Sequence, residues 1–163
     1  MRRQLLRLLR KKIMFPMNVK ATEQVAVLGG VNPSSQAAGA AVSGWISAAQ
    51  FNKFLALINV GTFGASATVD AKIQQAQDSS GTGAKDVPNK AIAQLLAAGG
   101  NNVQAAINLD AQELDVNNGF GYIQLSVTVG TAATGTSASL LGFLPKFAAA
   151  SDFNAASVAQ IVG

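Results

Sequence analysis

Three segments of this chain alternate apolar residues with polar or small ones at a period of two, and this pattern constrains the fold more than any other feature. The segments are residues 67–74, 103–111 and 122–129. Successive side chains of a β-strand point to opposite faces, so this period is typical of a sheet with one buried and one solvated face. The sequence therefore predicts three strands. The apolar run FNKFLALINV at residues 51–60 predicts a fourth, buried strand.

The other segments carry weaker signals. Short apolar stretches predict further strands at residues 24–28, 44–47 and 138–144. Trp45 lies in the second of these, and we expect it to pack in the core. The sequence ELDVNNG at residues 113–119 predicts a corner that ends in an Asn-Gly turn.

Residues 88–100 allow two interpretations. Pro88 near the start, the spacing of Ile92 and Leu95, and Gly99 at the end are typical of a helix. Their position before the sequence GGNN and a strong strand indicates instead the first arm of a β-hairpin. We favour the strand.

About seven or eight strands, with turn signals at intervals of roughly ten residues and no repeated helical crossover, favour an all-β fold. We expect an antiparallel, jelly-roll-like β-sandwich over residues 17–163. A basic amphipathic arm at residues 1–16 precedes it, and a short C-terminal helix over residues 151–161 ends it. A length of 163 residues suits one such domain, since domains commonly have roughly 100 to 150 residues.

The arm differs from the rest of the chain in charge. Half of the 12 lysine and arginine residues lie in the first twelve positions, where there is no acid. From Met17 onward, six lysines and eight carboxylates give a formal charge of −2. Charged residues make up only 12% of the chain, about half of the usual ~25%. Because interface cores are depleted in charge, we expect a surface covered by a partner or by other copies, in a dimer or trimer.

The arm is predicted to be an amphipathic helix of about three turns. Drawn at 100° per residue, its five aliphatic side chains fall within an arc of about 160°. Arg2 and Lys12 violate this pattern. Phe15 and Pro16 end the helix, because proline disfavours helix in the residue before it. A helix this short is unstable alone in water, so we expect it to bind something. The predicted partner-binding residues are Arg2, Arg3, Leu5, Leu6, Arg7, Leu8, Leu9, Arg10, Lys11, Lys12 and Ile13.

Three interpretations of the arm remain open. It docks onto another subunit, which we favour; it contacts nucleic acid or a membrane surface; or it is an upstream extension without a role, since Met14 and Met17 are alternative starts. No stretch approaches the ~18 apolar residues of a membrane span, so a membrane is not an expected partner. Nucleic acid is an expected partner only through the arm.

The chain lacks most side chains on which enzymes rely. It contains no histidine and no cysteine, which excludes Ser/His/Asp and Cys/His catalysis as well as thiolate zinc sites. Glu113 and Asp115 could act as paired carboxylates, but acids so placed are far more often a turn cap or a salt link to another subunit. The loop at Asp78 lacks the alternating acids of a calcium site. We expect no enzyme, no catalytic residue, no metal, no cofactor and no small-molecule substrate.

The run GWISAAQFNKFLALINVGTFGASATVDAKIQQAQDSSGTGAKDV, followed by AINLDAQELDVNNGFGYIQLSVTVGTAA, is similar to small virion proteins from the structural gene blocks of tailed bacteriophages. The similarity lies in a Trp strand, a Gly-punctuated strand, an alternating AxVxAxI strand, a glycine-rich loop and an ELDVNNGF corner. It extends over residues 25–162 and does not include the arm. It implies a jelly-roll-like virion protein, most like a capsid decoration (cement) protein.

The resemblance also implies a role. Such a protein binds the capsid surface and stabilises the shell by bridging subunits, with the major capsid protein as its partner. It is made in the host cytoplasm and resides in the virion. The alternative that we keep open is a tail-tube, connector or receptor-recognising component of the virion.

Overall fold

The computed structural model describes residues 18–163, and every strand pair in this part of the chain is antiparallel. The predicted arm lies outside the described residues, and so do its partner-binding side chains. The strands are β1 (Val25–Gln36), β2 (Gly39–Val42), β3 (Ile46–Ser47), β4 (Phe51–Val60), β5 (Thr68–Ala76), β6 (Lys85–Ala91), β7 (Leu95–Leu96), β8 (Val103–Asp110), β9 (Tyr122–Gly130) and β10 (Thr134–Pro145). Short 3₁₀ turns are Ala21–Glu23, Ala97–Gly99, Ala111–Glu113, Val116–Asn118 and Ala150–Phe153.

The eight longer strands form two sheets with the connectivity of a jelly roll. One sheet has the order β1-β10-β4-β8, and the other has the order β2-β9-β5-β6, to which β3 and β7 add short pairings with β9 and β5. The chain crosses between the sheets at every step except from β5 to β6, so that the first strand pairs with the last. This is the two-sheet Greek-key arrangement of a jelly roll. The predicted fold class is confirmed.

The core lies between the two sheets and is built from small and β-branched side chains. Alternate residues of β4 and β5 point into it, among them Ala56, Ile58, Val69 and Ile73, all of which are buried. The larger aromatic rings lie towards one end, where the Phe51 ring meets Phe54 and Phe153 edge to face at centroid distances of 6.2 and 5.6 Å. Such pairs add about 0.5–1.5 kcal/mol each beyond the area that they bury.

Residues 88–91 and 95–96 are strand and not helix, as favoured, but the hairpin predicted for residues 88–100 is wrong. Strand β6 begins earlier, at Lys85, and pairs with β5, whereas β8 pairs with β4 in the other sheet. Pro88 lies inside β6, which is an edge strand. An edge strand tolerates proline because one side of it makes no ladder hydrogen bonds.

Two predictions near the start of the domain need correction. Strand β1 continues well past residue 28, to Gln36, and β2 was not predicted. Trp45 precedes β3 in an irregular segment and is only half-buried. Its indole ring lies against Gly81, where an added Cβ would approach Trp45 Nε1 to 2.5 Å. The ring therefore packs on a loop and not in the core.

The predicted C-terminal helix is reduced to the 3₁₀ turn Ala150–Phe153. After this turn, Asn154 Oδ1 accepts a hydrogen bond from the Val27 N–H (2.8 Å), and the Ala155 N–H donates to the Val27 carbonyl (2.7 Å). The tail thus provides hydrogen-bond partners for the backbone N–H and carbonyl of Val27 at the free edge of β1. These bonds hold the backbone out of the helical conformation.

Gly30 provides a test of how closely β1 and β10 approach. A Cβ added at Gly30 would lie 2.1 Å from the Ala138 carbonyl oxygen, so the strands must separate to admit it. We expect Gly30→Ala to lower the free energy of unfolding by about 1–3 kcal/mol, as overpacking does. Gly99→Ala is the control, because no atom lies within 4 Å of its added Cβ. Urea denaturation of the two variants checks this, and equal midpoints would contradict it.

Candidate interaction surface

The outer face of the first sheet carries apolar side chains that point away from the core. In β4, Phe54, Ala56 and Ile58 are buried, whereas Leu55 is half-buried and Leu57 is 37% exposed. Residues paired directly across antiparallel strands share a face, so the register extends this face from strand to strand. We call the apolar members of this face the outer apolar band: Val25 and Val27 of β1, Phe143 and Leu141 of β10, Leu55 and Leu57 of β4, and Ala106 of β8. Two polar residues lie among them, Ser139 opposite Leu57 and Asn108 opposite Leu55.

A groove of about 510 Å³ opens on this face. Its lining includes Leu55 and Phe143 of the band, with Lys53, Asn108 and Asp110 beside them. Lys53 Nζ lies 2.6 Å from Asp110 Oδ1, and both side chains are about half exposed. An exposed pair of this kind contributes little to stability. It does give the apolar groove a polar border.

The opposite border of the band is an uncharged amide pair. Gln104 Nε2 donates to Asn59 Oδ1 at 2.9 Å across β8 and β4. Between the two borders the face carries no charged side chain, and its polar side chains there are Ser139 and Asn108. Such a surface gains free energy when a partner covers it, at roughly 25 cal/mol per Å² of apolar area.

Glu113 and Asp115, the predicted carboxylate pair, serve the corner before β9. Glu113 accepts the N–H of Asp110 (2.8 Å) and lies 2.7 Å from Lys90 Nζ, and these two contacts, in that order, lower its pKa. Asp115 pairs with Lys85 at 2.6 Å, which is the main cause of its lowered pKa. Glu113 thus caps the turn at Asp110, as predicted, and both acids form salt links within their own chain, each with its own lysine.

The glycine-rich loop after β5 is held by its own first residue. The Asp78 carboxylate accepts the Thr82 hydroxyl (2.6 Å), the Ser80 N–H (2.8 Å) and the Thr82 N–H (3.1 Å). These bonds, with the Thr82 hydroxyl first, lower the pKa of Asp78. The carboxylate therefore holds the loop in shape through hydrogen bonds within it. This shape places Gly81 against the Trp45 ring.

Residues 18–163 contain no group of three acids, histidines or cysteines that could hold a metal ion. Within the same range, no helix is both long and apolar enough to cross a membrane.

The outer apolar band was not predicted from the sequence, because residues 51–60 were expected to be buried throughout. The alternation of Leu55 and Leu57 with Ala56 and Ile58 does indicate two apolar faces. The sequence of β4 therefore contained the signal for an outward apolar face. The contributions of β1 and β10 depend on the register and could not be predicted from composition.

No protein-family model matches the sequence, and no curated protein matches it. Among solved structures, the chain is similar to one from the empty virus-like particle of cowpea mosaic virus, with a TM-score of 0.41, 10% identity and coverage of 83% of this chain and 87% of that one. A chain of Triatoma virus is similar with a TM-score of 0.44 and 8% identity, over 86% of this chain and 74% of that one. The SPBc2 prophage-derived protein YomS is similar with a TM-score of 0.35 and 9% identity, over 75% of this chain and 91% of that one. The jelly roll is established by the strand order and does not depend on these likenesses.

The carboxylate contacts predict how stability depends on pH. Asp78, Asp86, Glu113 and Asp115 have folded pKa values below their ordinary values of 3.8 for Asp and 4.5 for Glu, so the unfolded chain binds more protons. Their stabilisation is complete above about pH 4.5 and is lost as the pH falls through the lowered pKa values. Urea denaturation from about pH 6 to about pH 3 should show this decline.

We expect Asp115→Asn to make the decline shallower, because one of the four groups no longer titrates. Lys146→Gln is the control, since it removes a surface charge without removing a carboxylate. An Asp115→Asn variant with the unchanged pH slope would contradict the assignment.

Proposed function

We propose that this chain is a structural virion protein that binds the surface of a capsid and stabilises the shell by bridging its subunits. The observation that carries the proposal is the outer apolar band, a set of neighbouring apolar side chains on one outer sheet face of a jelly-roll domain. The resemblance of residues 25–162 to virion proteins of tailed phages adds the expected partner, the major capsid protein. The protein would then reside on the capsid surface, as a dimer or trimer.

The polar groups of the described residues support a passive role. Four lysines pair with four carboxylates at the surface, and the carboxylates of Glu23 and Asp78 cap backbone N–H groups. No buried side-chain polar atom in this part of the chain lacks a hydrogen-bond partner. Charged groups engaged in this way hold turns and strands together. We propose that the protein acts by contact and not by catalysis.

Bridging also explains why a modest contact area suffices. Each copy adds a small interface energy, and linked contacts on a repeating shell act together as a multivalent set. A tail-tube, connector or receptor-recognising component remains the alternative, and it would use the same domain. The number of copies separates the two, since a shell protein is present in hundreds of copies per particle and an axial component in about six or twelve.

The test adds purified protein to shells that lack it. We expect the full chain to bind and to raise the denaturant concentration at which the shells disassemble, because it joins subunits. Deletion of residues 1–16 should leave the domain folded but lower its occupancy, and Leu57→Asp should lower it by placing a charge in the band. Val42→Asp on the other sheet is the matched control, because Val42 is 49% exposed and pairs with the uncharged Ser126. Occupancy is measured by mass of the particle, and folding by circular dichroism.

Two results would contradict the proposal. One is failure of the full chain to bind the shells, while full occupancy of both the deletion variant and the Leu57→Asp variant would contradict the assignment of the binding surface. The other is assembly of closed particles by this chain alone, which would make it the shell-forming subunit and not a protein that decorates a shell.

A further inference from the structure

We propose that two copies of this chain pair through the free edge of strand β8, antiparallel and across a two-fold axis at Ala105. Two four-stranded sheets then join into one sheet of eight strands. This inference deepens the proposed function, on whose expectation of a dimer it rests, by assigning the edge at which the copies meet. The outer apolar band lies on the face of the sheet, so an edge contact leaves it uncovered.

Every second residue of β8 directs its backbone N–H and carbonyl away from β4. Directly after β4, the Gly61 N–H donates to the Gly135 carbonyl (2.7 Å), so the odd-numbered residues of β4 direct their backbone groups towards β10. Backbone groups of an antiparallel strand alternate in direction, so the residues of β8 opposite them face the free side. These residues are Gln104, Ala106 and Asn108, and all three are exposed. Such a row of backbone groups is a template for a further strand.

The other sheet edges in the described part of the chain are protected against such pairing. Strand β1 contains Pro33 and two shifts of register, and the tail binds it at Val27. Strand β6 contains Pro88 and charged side chains, and β2, β3 and β7 have only four, two and two residues. Proline, charge, irregularity and shortness all protect an edge. Strand β8 has none of these features before Asp110, because its eight residues follow β4 without a shift of register.

Lys90 limits the open part of this edge to residues 103–107. Its Nζ donates to the Asn108 carbonyl (2.8 Å) and lies 2.7 Å from Glu113 Oε2, so its side chain occupies the edge at Asn108. A two-fold axis at Ala105 pairs residues 103–107 with the same residues of the other copy and excludes Asn108. Gln104 then lies opposite the partner's Ala106, and each such pair exchanges two backbone hydrogen bonds.

The side chains of residues 103–107 suit pairing with a second copy of the same segment. A two-fold axis brings each residue close to its own counterpart, so a charged residue there would face a like charge. The sequence VQAAI contains no charge. The small Ala106 side chain also leaves room beside the Gln104 amide, whose Nε2 donates to Asn59 Oδ1 (2.9 Å) in its own chain. The segment is therefore compatible with itself in both charge and size.

Pairing at this edge extends the surface that we propose for shell binding. Ala106 is the member of the outer apolar band on β8, so the band of one copy continues into the band of its partner across the axis. Two linked bands bind a repeating shell as a bivalent unit, which is stronger than either band alone. The use of the dimer thus rests on the proposed function, whereas its formation requires only this chain.

Disulfide formation tests the register, because the chain contains no native cysteine. The full-length variants Gln104→Cys and Ala106→Cys are mixed and oxidised. We expect their mixed disulfide to form about ten-fold faster than the disulfide of either variant with itself, because directly opposed Cα atoms lie about 5.5 Å apart, within the range of about 4.4–6.8 Å that a disulfide requires. Identical positions are offset by about 7 Å along the strands, which places them beyond this range. Mass spectrometry separates the three products.

Proline at position 106 tests the edge itself. Ala106→Pro removes an N–H that makes no ladder bond within its own chain, so we expect a folded domain that no longer dimerises. Ala106→Ser keeps the N–H and is the matched control. With rising concentration, the mass from light scattering should approach twice the chain mass of 16.6 kDa for the unmodified protein and Ala106→Ser, and stay at the chain mass for Ala106→Pro. Circular dichroism checks the fold.

Several outcomes would overturn the proposal. They are an unmodified protein that stays monomeric at every concentration at which it is soluble, a trimer, and a folded Ala106→Pro variant that still dimerises. Equal rates for the three disulfides would overturn it as well, and this result does not depend on whether Ala106→Pro folds. No shell is present in these experiments. Their failure is therefore distinct from failure of the chain to bind shells, which would leave the edge pairing intact.

Discussion

The structure depends on the pairing of its last long strand with its first. Strand β10 lies between β1 and β4, so without it the first sheet separates into two parts. The strands approach so closely that only glycine fits at position 30, opposite the Ala138 carbonyl. The tail that follows β10 then completes the edge of β1 through Asn154, 127 residues away from Val27 in sequence. One long-range pairing therefore supports the sheet, the tail and the outer apolar band together.

The two sheets present different outer faces, and the difference follows from their surroundings. In the second sheet, the outward residues Gln124 and Ser126 of β9 are only 8% and 6% exposed. Strand β9 pairs with β5 on one side and with β2 and β3 on the other, and its polar side chains are hydrogen-bonded or close to solvent. In the first sheet the outward residues comprise the outer apolar band together with polar side chains such as Asn108 and Ser139. Exposed apolar side chains also occur in the second sheet, where Val42 and Leu96 are each 49% exposed. We place the interaction surface on the first sheet because its apolar side chains are neighbours across four strands.

The sequence was sufficient to predict the strands whose pattern is local. Residues 67–74, 103–111 and 122–129 alternate because each has one face in the core, and all three are strands in the structure. Strand β6 could not be predicted from KDVPNKA, because its pairing with β5 depends on cross-strand contacts such as Lys72 with Asp86, at 2.9 Å. The predicted C-terminal helix was wrong for the same reason, because hydrogen bonds to the edge of β1 determine the conformation of the tail. The candidate surface could be predicted only in part. The sequence of β4 indicates its outward leucines, but their neighbours on the other strands depend on the register.

The placement of charge relates the fold to its proposed use. The four ion pairs join surface positions of neighbouring strands and loops, and one of them, Lys53 with Asp110, borders the band without entering it. Exposed pairs contribute at most about 1 kcal/mol each, so stability must come mainly from the thin apolar core. A domain stabilised in this way can leave one outer face uncharged without losing its fold. That face is then available for contact with a partner, which is the use that we propose for it.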